Sequence, residues 1–351
     1  MLALRPVVGE PPAVSAPRPP TRLLSALAGL VALVACTGPA ADTTRPEPAP
    51  APIVAPPVAP PPVAPPAVEA PSVAAAAVAA STSPRVLAWR LGPPERPSIL
   101  MSVPAFPVTR QDALPDPWGE YYTRVARVAF VSSAEASAAF AARHGPGSAR
   151  RDLRVLLGDD LFARFLERGT RTYGGEPDVA AIATLDPHGA ALVLAAGELG
   201  YRRPDDGLEA RLRSWAGAVD LPVVALLDDE RATDLLEALT EADVLSMLRE
   251  NLSEPERFPR WLAAARAAWA SGDAEAMALA CDEPERTQRW DERARRSFRD
   301  FARAIAEPTA SALLEMPTLV AVDVCAVVTS GGLLELLRAR DLELVPLGPA
   351  E

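Results

Sequence analysis

A chain of 351 residues with a net charge of −11 and thirty-nine prolines is long enough for one large domain, but its prolines crowd into the part before Pro84. It contains no lysine, so its thirty-five basic residues are all arginine, set against forty-six acidic ones. A domain this acidic repels phosphate backbones overall, which excludes nucleic acid as an expected partner. The absence of lysine, with abundant alanine, proline and glycine, points to a GC-rich bacterial genome.

Residues 1–35 read as a secretory signal. Arginine-flanked Leu23–Ala35 is an apolar run of h-region length, too short to span a bilayer permanently. It ends in Leu33-Val34-Ala35-Cys36, which resembles a bacterial lipobox, so Cys36 is the expected lipidation site and new N-terminus. Acyl chains anchor through apolar burial, at about 0.8 kcal/mol per methylene. Thr37 stands where an aspartate often holds such proteins at the inner membrane, so the expected location is the outer membrane, facing the periplasm. Residues 36–84 continue as a Pro/Ala-rich tether, where fixed φ angles and missing donors favour polyproline II over helix or sheet. Fully extended, it would reach on the order of 100 Å.

Residues 85–351 form the foldable part. Val86–Leu91 and Ser98–Val103 read as a strand pair around Gly92-Pro93-Pro94. A helix leading into a strand is expected over Glu120–Phe130, and amphipathic helices over 133–143 and 151–167. Asp186-Pro187 starts another helix, with an N-cap acid and proline in the first turn. Gly207–Val219 reads as a helix, Pro222–Leu226 as a short strand and Glu230–Asn251 as one or two helices. A long helix is expected near Arg286–Glu307, with Arg289, Arg293, Arg296 and Arg303 on one face; interspersed acids make that face a solvated one. The chain closes as a buried strand (Thr318–Val324), Gly331-Gly332, a helix (Leu333–Arg340) and a last strand (Leu342–Leu347). Strands at both ends with helices between them predict one α/β domain, a mixed central sheet flanked by many helices.

Four segments resemble the TraB/GumN (Tiki-like) family. Gly207-Leu208-Glu209-Ala210-Arg211-Leu212, followed by Leu221–Leu226, is similar to the family's Gly-x-Asp-x-x-Leu helix and Pro-Val-x-x-Leu-Glu strand. Trp269-Ala270-Ser271-Gly272-Asp273 resembles its Trp-x-x-Gly-Asp helix break. The C-terminal strand, glycine pair, helix and strand form the third match, and Ser98–Pro104 sits where the family has a strand ending in Gly-Thr-Ile-His. The resemblance implies a metal-dependent activity, proteolytic in an animal branch. It also places the family's functional positions at Met101, Pro104, Ser132, Leu227, Asp323 and Ala326. The two histidines would fall at Pro104 and Ala326 and the two glutamates at Ser132 and Leu227, so this reads as a degenerate, non-catalytic member.

The remaining candidates are few. His144 and His188 are the only histidines; the first falls in a loop after a helix and the second in a helix's first turn, where a surface side chain is ordinary. A two-histidine metal site would require them to meet in space. Asp228-Asp229-Glu230 follows a strand at the sheet end where α/β proteins place ligands, but an acidic helix N-terminus accounts for it equally well. Cys281 and Cys325 could pair, given Cα atoms within about 7 Å, or Cys325 could serve as a thiol nucleophile if a base lay beside it. There is no phosphate-binding glycine loop, His-Glu-x-x-His, Gly-x-Ser-x-Gly or Cys-x-x-Cys. The expected protein is therefore an envelope lipoprotein held on the membrane by its lipid anchor. Its domain is expected to bind or scaffold an envelope protein or ligand without a cofactor. The alternative is a divergent peptidase-like hydrolase with zinc or manganese on ligands drawn from Asp228, Asp229, Glu230, His144 and His188.

Overall fold

The computed structural model describes residues 87–108, 122–171, 177–201, 207–287 and 292–347, with the side chains of 283–298 left aside. Cys36, the signal segment, the tether, Val86, and the side chains of Arg289, Arg293 and Arg296 therefore lie outside the described residues. Among those residues, no helix is long and apolar enough to cross a membrane.

Among the described residues, six strands make one sheet: β1 (Ala88–Leu91), β2 (Ser98–Val103), β3 (Arg127–Phe130), β4 (Val223–Ala225), β5 (Thr318–Asp323) and β6 (Val345–Pro346), in the spatial order β4-β3-β5-β2-β1-β6. β2, β3, β4 and β5 run parallel, while β1 pairs antiparallel with both β2 and β6. The hairpin β1–β2 turns through Gly92–Arg96, as its Gly-Pro-Pro signal predicts, with Ala88 opposite Met101 and Leu91 opposite Ser98. β2 is buried along its whole length and β5 at all but its last residue, as expected of central strands covered on both faces.

The helices are α1 (Ala134–Arg143), α2 (Leu153–Leu157), α3 (Asp159–Gly169), α4 (Val179–Ala183), α5 (Pro187–Leu199), α6 (Leu208–Ala218), α7 (Asp229–Leu236), α8 (Glu241–Ser253), α9 (Arg257–Ser271), α10 (Ala274–Thr287), α11 (Glu292–Glu315), α12 (Val324–Val328) and α13 (Leu333–Arg338). The main core lies against the sheet. A second, helical core collects Leu153, Phe162, Phe165, Leu194, Leu248 and Leu252 from α2, α3, α5 and α8. Arg168 of α3 forms a buried ion pair with Glu198 of α5 and donates to the Asn251 carbonyl of α8 at 2.8 Å, clasping these helices together.

Several expected elements change shape. The helix expected over 151–167 breaks at Gly158, whose φ of 81° lets the chain turn between α2 and α3 without a Cβ penalty. Of the helix expected from Glu120, the described part ends at Tyr122 and turns into β3. The long helix starts at Glu292 and runs to Glu315, beyond the expected Glu307. β5 stops at Asp323, α13 stops at Arg338, and the closing strand shrinks to two residues.

Candidate functional site

Because β2, β3, β4 and β5 are parallel, their C-terminal ends share one edge of the sheet, where open α/β sheets place their ligands. Val103 pairs with Asp323 across the β2–β5 ladder, and Phe130 with Ala321 across β3–β5. Pro104, Ser132, Leu227, Asp323 and Ala326 therefore follow these strand ends, and the fold brings together the positions picked from sequence.

That edge is filled by side chains. Met101 and Ala326 have no exposed surface, Leu227 keeps 3 % of its own, and Pro104 is buried. Tyr122 covers Met101, its hydroxyl 3.7 Å from Sδ, and burial pushes the phenol pKa well above its usual range. Ser132 Oγ lies 3.3 Å from Ser137 Oγ. Over the end of β3 lies Arg213, its guanidinium carbon 3.9 Å from the Phe130 ring centroid. Arg213 donates to the Ser132 carbonyl and to Glu209, each at 2.8 Å. Sequence reasoning passed over this Arg213–Glu209 pair, although i,i+4 spacing on a helix was the signal for it.

Asp323 is the one carboxylate at the edge among the carried-over positions. It caps α12, accepting from the backbone N–H groups of Cys325 at 3.0 Å and Ala326 at 3.2 Å. The residue is half-buried but its carboxyl is enclosed; burial pushes its pKa up to about 7 against the pull of those two N–H groups. An unfolded Asp titrates near about 3.9. The folded state therefore favours the protonated form, and stability is full below pH ~4 and is lost as pH rises towards 7. Asp323→Asn keeps a capping oxygen and removes the titration. The variant should melt above the wild type at pH 8 while matching it near pH 4, and parallel melting curves across that range would contradict the assignment.

A divalent ion needs several converging imidazole or carboxylate donors. Proline, serine, leucine and alanine at the four carried-over positions, with Asp323 already engaged by two backbone donors, do not fit one at this edge. Cys325 adds no nucleophile either. It is buried and bonded to Cys281, with Cα atoms 5.4 Å apart, which resolves the pairing the sequence left open and removes thiol chemistry at Cys325.

The acidic run plays the helix-capping part. Asp228 caps α7 by accepting from the Arg231 N–H at 2.7 Å, and Asp229 accepts from Ser133 Oγ at 2.8 Å. Asp228, Asp229 and Glu230 are all exposed. They sit at the opposite end of α7 from Glu237, about 12 Å along the axis. Arg303, the described member of the arginine face, is exposed and pairs with Asp300 at 3.2 Å.

The histidines depart most from expectation. Neither is on the surface: His144 keeps 8 % of its exposure and His188 keeps 7 %. Their rings lie 4.7 Å apart between centroids. His144 is the C-cap of α1 and packs against the Phe140 ring at a tilt, while His188 sits in the first turn of α5, behind the predicted Asp186 cap and Pro187. Close approach of the two helices depends on Gly189, where a Cβ would lie 1.9 Å from the His144 carbonyl oxygen. Asp186 joins the pair, accepting from His144 Nδ1–H at 2.6 Å and from the Gly189 N–H at 2.8 Å. Burial alone would raise the Asp186 carboxyl, but the hydrogen bonds from His144 and Gly189 and the charge of the two imidazoles bring it below the usual range. His188 is held below the usual imidazole range by burial and by His144, against the pull of Asp186, the Leu239 carbonyl and Glu237. One donor atom each from His144, Asp186 and His188 lie within 4.8 Å of one another.

Among known protein families, the model described as the TraB/PrgY/gumN family matches residues 106–346 of the chain. That span begins just after the resembling segment Ser98–Pro104. No curated protein and no solved structure matches the chain.

Proposed function

Because the chain belongs to the TraB/PrgY/gumN family, we propose that it is a lipid-anchored bacterial envelope protein whose family domain binds or scaffolds a partner without catalysing a reaction at the family's site. The closed strand edge carries this reading: Met101, Pro104, Leu227 and Ala326 leave neither room nor donors for a metal-activated water. The Cys281–Cys325 bridge supports export, since such bridges persist in oxidising compartments. The lipobox at Cys36 and the Pro/Ala-rich tether supply an anchor and a spacer, which would let the domain range over the membrane surface.

Labelling cells with a clickable fatty acid tests the anchor. The wild-type chain should take up label and sediment with outer membranes, whereas Cys36→Ala should lose the label and leave the membrane fraction. An unlabelled wild-type chain would overturn the anchor. The catalytic half of the reading fails if the purified chain hydrolyses peptides in a manganese- or cobalt-dependent way that Asp323→Asn abolishes.

A further inference from the structure

We propose that His144, His188 and Glu237 form a binding site for one divalent ion of the zinc class, away from the family's strand edge, at the junction of α1, α5 and the α7–α8 turn. The fold leaves two imidazole nitrogens without a hydrogen bond. His144 gives its Nδ1–H to Asp186, so in the neutral ring Nε2 carries the lone pair. His188 gives its Nε2–H to the Leu239 carbonyl at 3.2 Å, so its lone pair is on Nδ1. Both free nitrogens, His144 Nε2 and His188 Nδ1, are fully buried and have no hydrogen-bond partner. Buried polar atoms are nearly always satisfied, and two orphaned imidazole lone pairs on adjacent rings call for a shared acid.

The surroundings specify what kind. Each imidazole is oriented through its other nitrogen, one by a carboxylate and one by a backbone carbonyl, which is the arrangement that fixes the tautomer of metal-binding histidines. Glu237 caps the end of α7, and its Oε1 stands 3.6 Å from His144 Nε2. Donors on a tetrahedral zinc ion stand about 3.3 Å apart, so that edge is already close to the required length. Glu237 is half-buried, so its carboxylate is partly withdrawn from water beside His144. Arg143 is its present partner, on a side chain that is half exposed and can turn to solvent at little cost. Asp186 is a positioning residue in this scheme, since both its oxygens are engaged by His144 and the Gly189 N–H. Two imidazoles and one carboxylate suit zinc or cobalt better than magnesium or calcium, which take oxygen ligands.

Bound there, the ion would pin the helical core of α5 and α8 to α1, which follows β3 of the sheet. Equilibrium dialysis of the purified full chain against zinc, with metal counted by mass spectrometry, tests this, together with thermal melts. The expected result is one zinc per chain and a melting temperature raised by zinc and by cobalt, but not by magnesium or calcium. His144→Gln and His188→Gln should lose the ion. Asp186→Asn should weaken binding by about 10–100-fold, as loss of an orienting partner does. Glu237→Gln should weaken it at least as much; this residue is half-buried at a helix end, so the apo variant should melt like the wild type and keeps the test free of misfolding. No bound zinc in the wild type, or zinc bound equally well by His188→Gln and Glu237→Gln, would overturn the proposal.

Discussion

Replacing Arg168 by methionine will lower the stability of the fold by about 3–5 kcal/mol, the usual cost of stranding one member of a buried ion pair. The side chains of Arg168 and Glu198 retain only 6 % and 4 % of their exposure. Once the guanidinium is gone, the Glu198 carboxylate keeps no cation, and its Oε2 already lacks a hydrogen bond. The Asn251 carbonyl and side chain lose their donors as well, so α3, α5 and α8 loosen together. Adding Glu198→Leu to Arg168→Met should recover most of the loss, because an apolar pair of similar volume avoids desolvating two charges. Urea titration of the wild type, both single variants and the double variant measures the coupling. Four midpoints that add independently would show that the pair contributes nothing as a pair.

Reduction of the Cys281–Cys325 bridge is the second large effect. The bridge ties α10 to α12 across a sequence separation of 44, and the loop-entropy relation gives about 4 kcal/mol for a closure of that length. Cys325 lies in the five-residue helix that Asp323 caps, so its release would also free the strand edge where the family's chemistry would stand. The denaturation midpoint should fall when a phosphine reductant is added, and the double serine variant should match the reduced wild type. A midpoint indifferent to reductant would mean that the two thiols do not pair in solution.

Much of the fold was legible because local chemistry and tertiary packing agree. The β1–β2 hairpin has its turn residues, α5 has its aspartate cap and proline, and β5 has an apolar run over Leu319–Val322. Other features depended on contacts distant in sequence. Val324–Val328 carries no helix signal beyond its cap: the Asp323 side chain bonds two backbone N–H groups and starts α12. Gly158 gave no warning that one amphipathic helix would become two, since its positive φ is a choice the backbone makes under packing.

The sites divide the same way. Pro104, Ser132, Leu227 and Ala326 are placed by the family resemblance at strand ends, and a parallel sheet must bring such ends together. His188 reads as a surface residue because it follows a helix-starting proline, a position that is exposed when nothing packs on it. What packs on it is the end of α1, admitted by Gly189, and that contact joins residues 44 apart in the chain. Asp186 and Glu237, which complete the cluster, were visible only as a cap and as one acid among many.

The central claim is that the family frame persists here without metal chemistry at its strand edge. The most direct test is to count zinc, manganese and cobalt bound to the purified full chain of the double variant His144→Gln/His188→Gln. The account predicts that this variant holds none of the three. One ion per chain, retained by the double variant and released by a further Asp323→Asn, would contradict it and return catalysis to the end of β5.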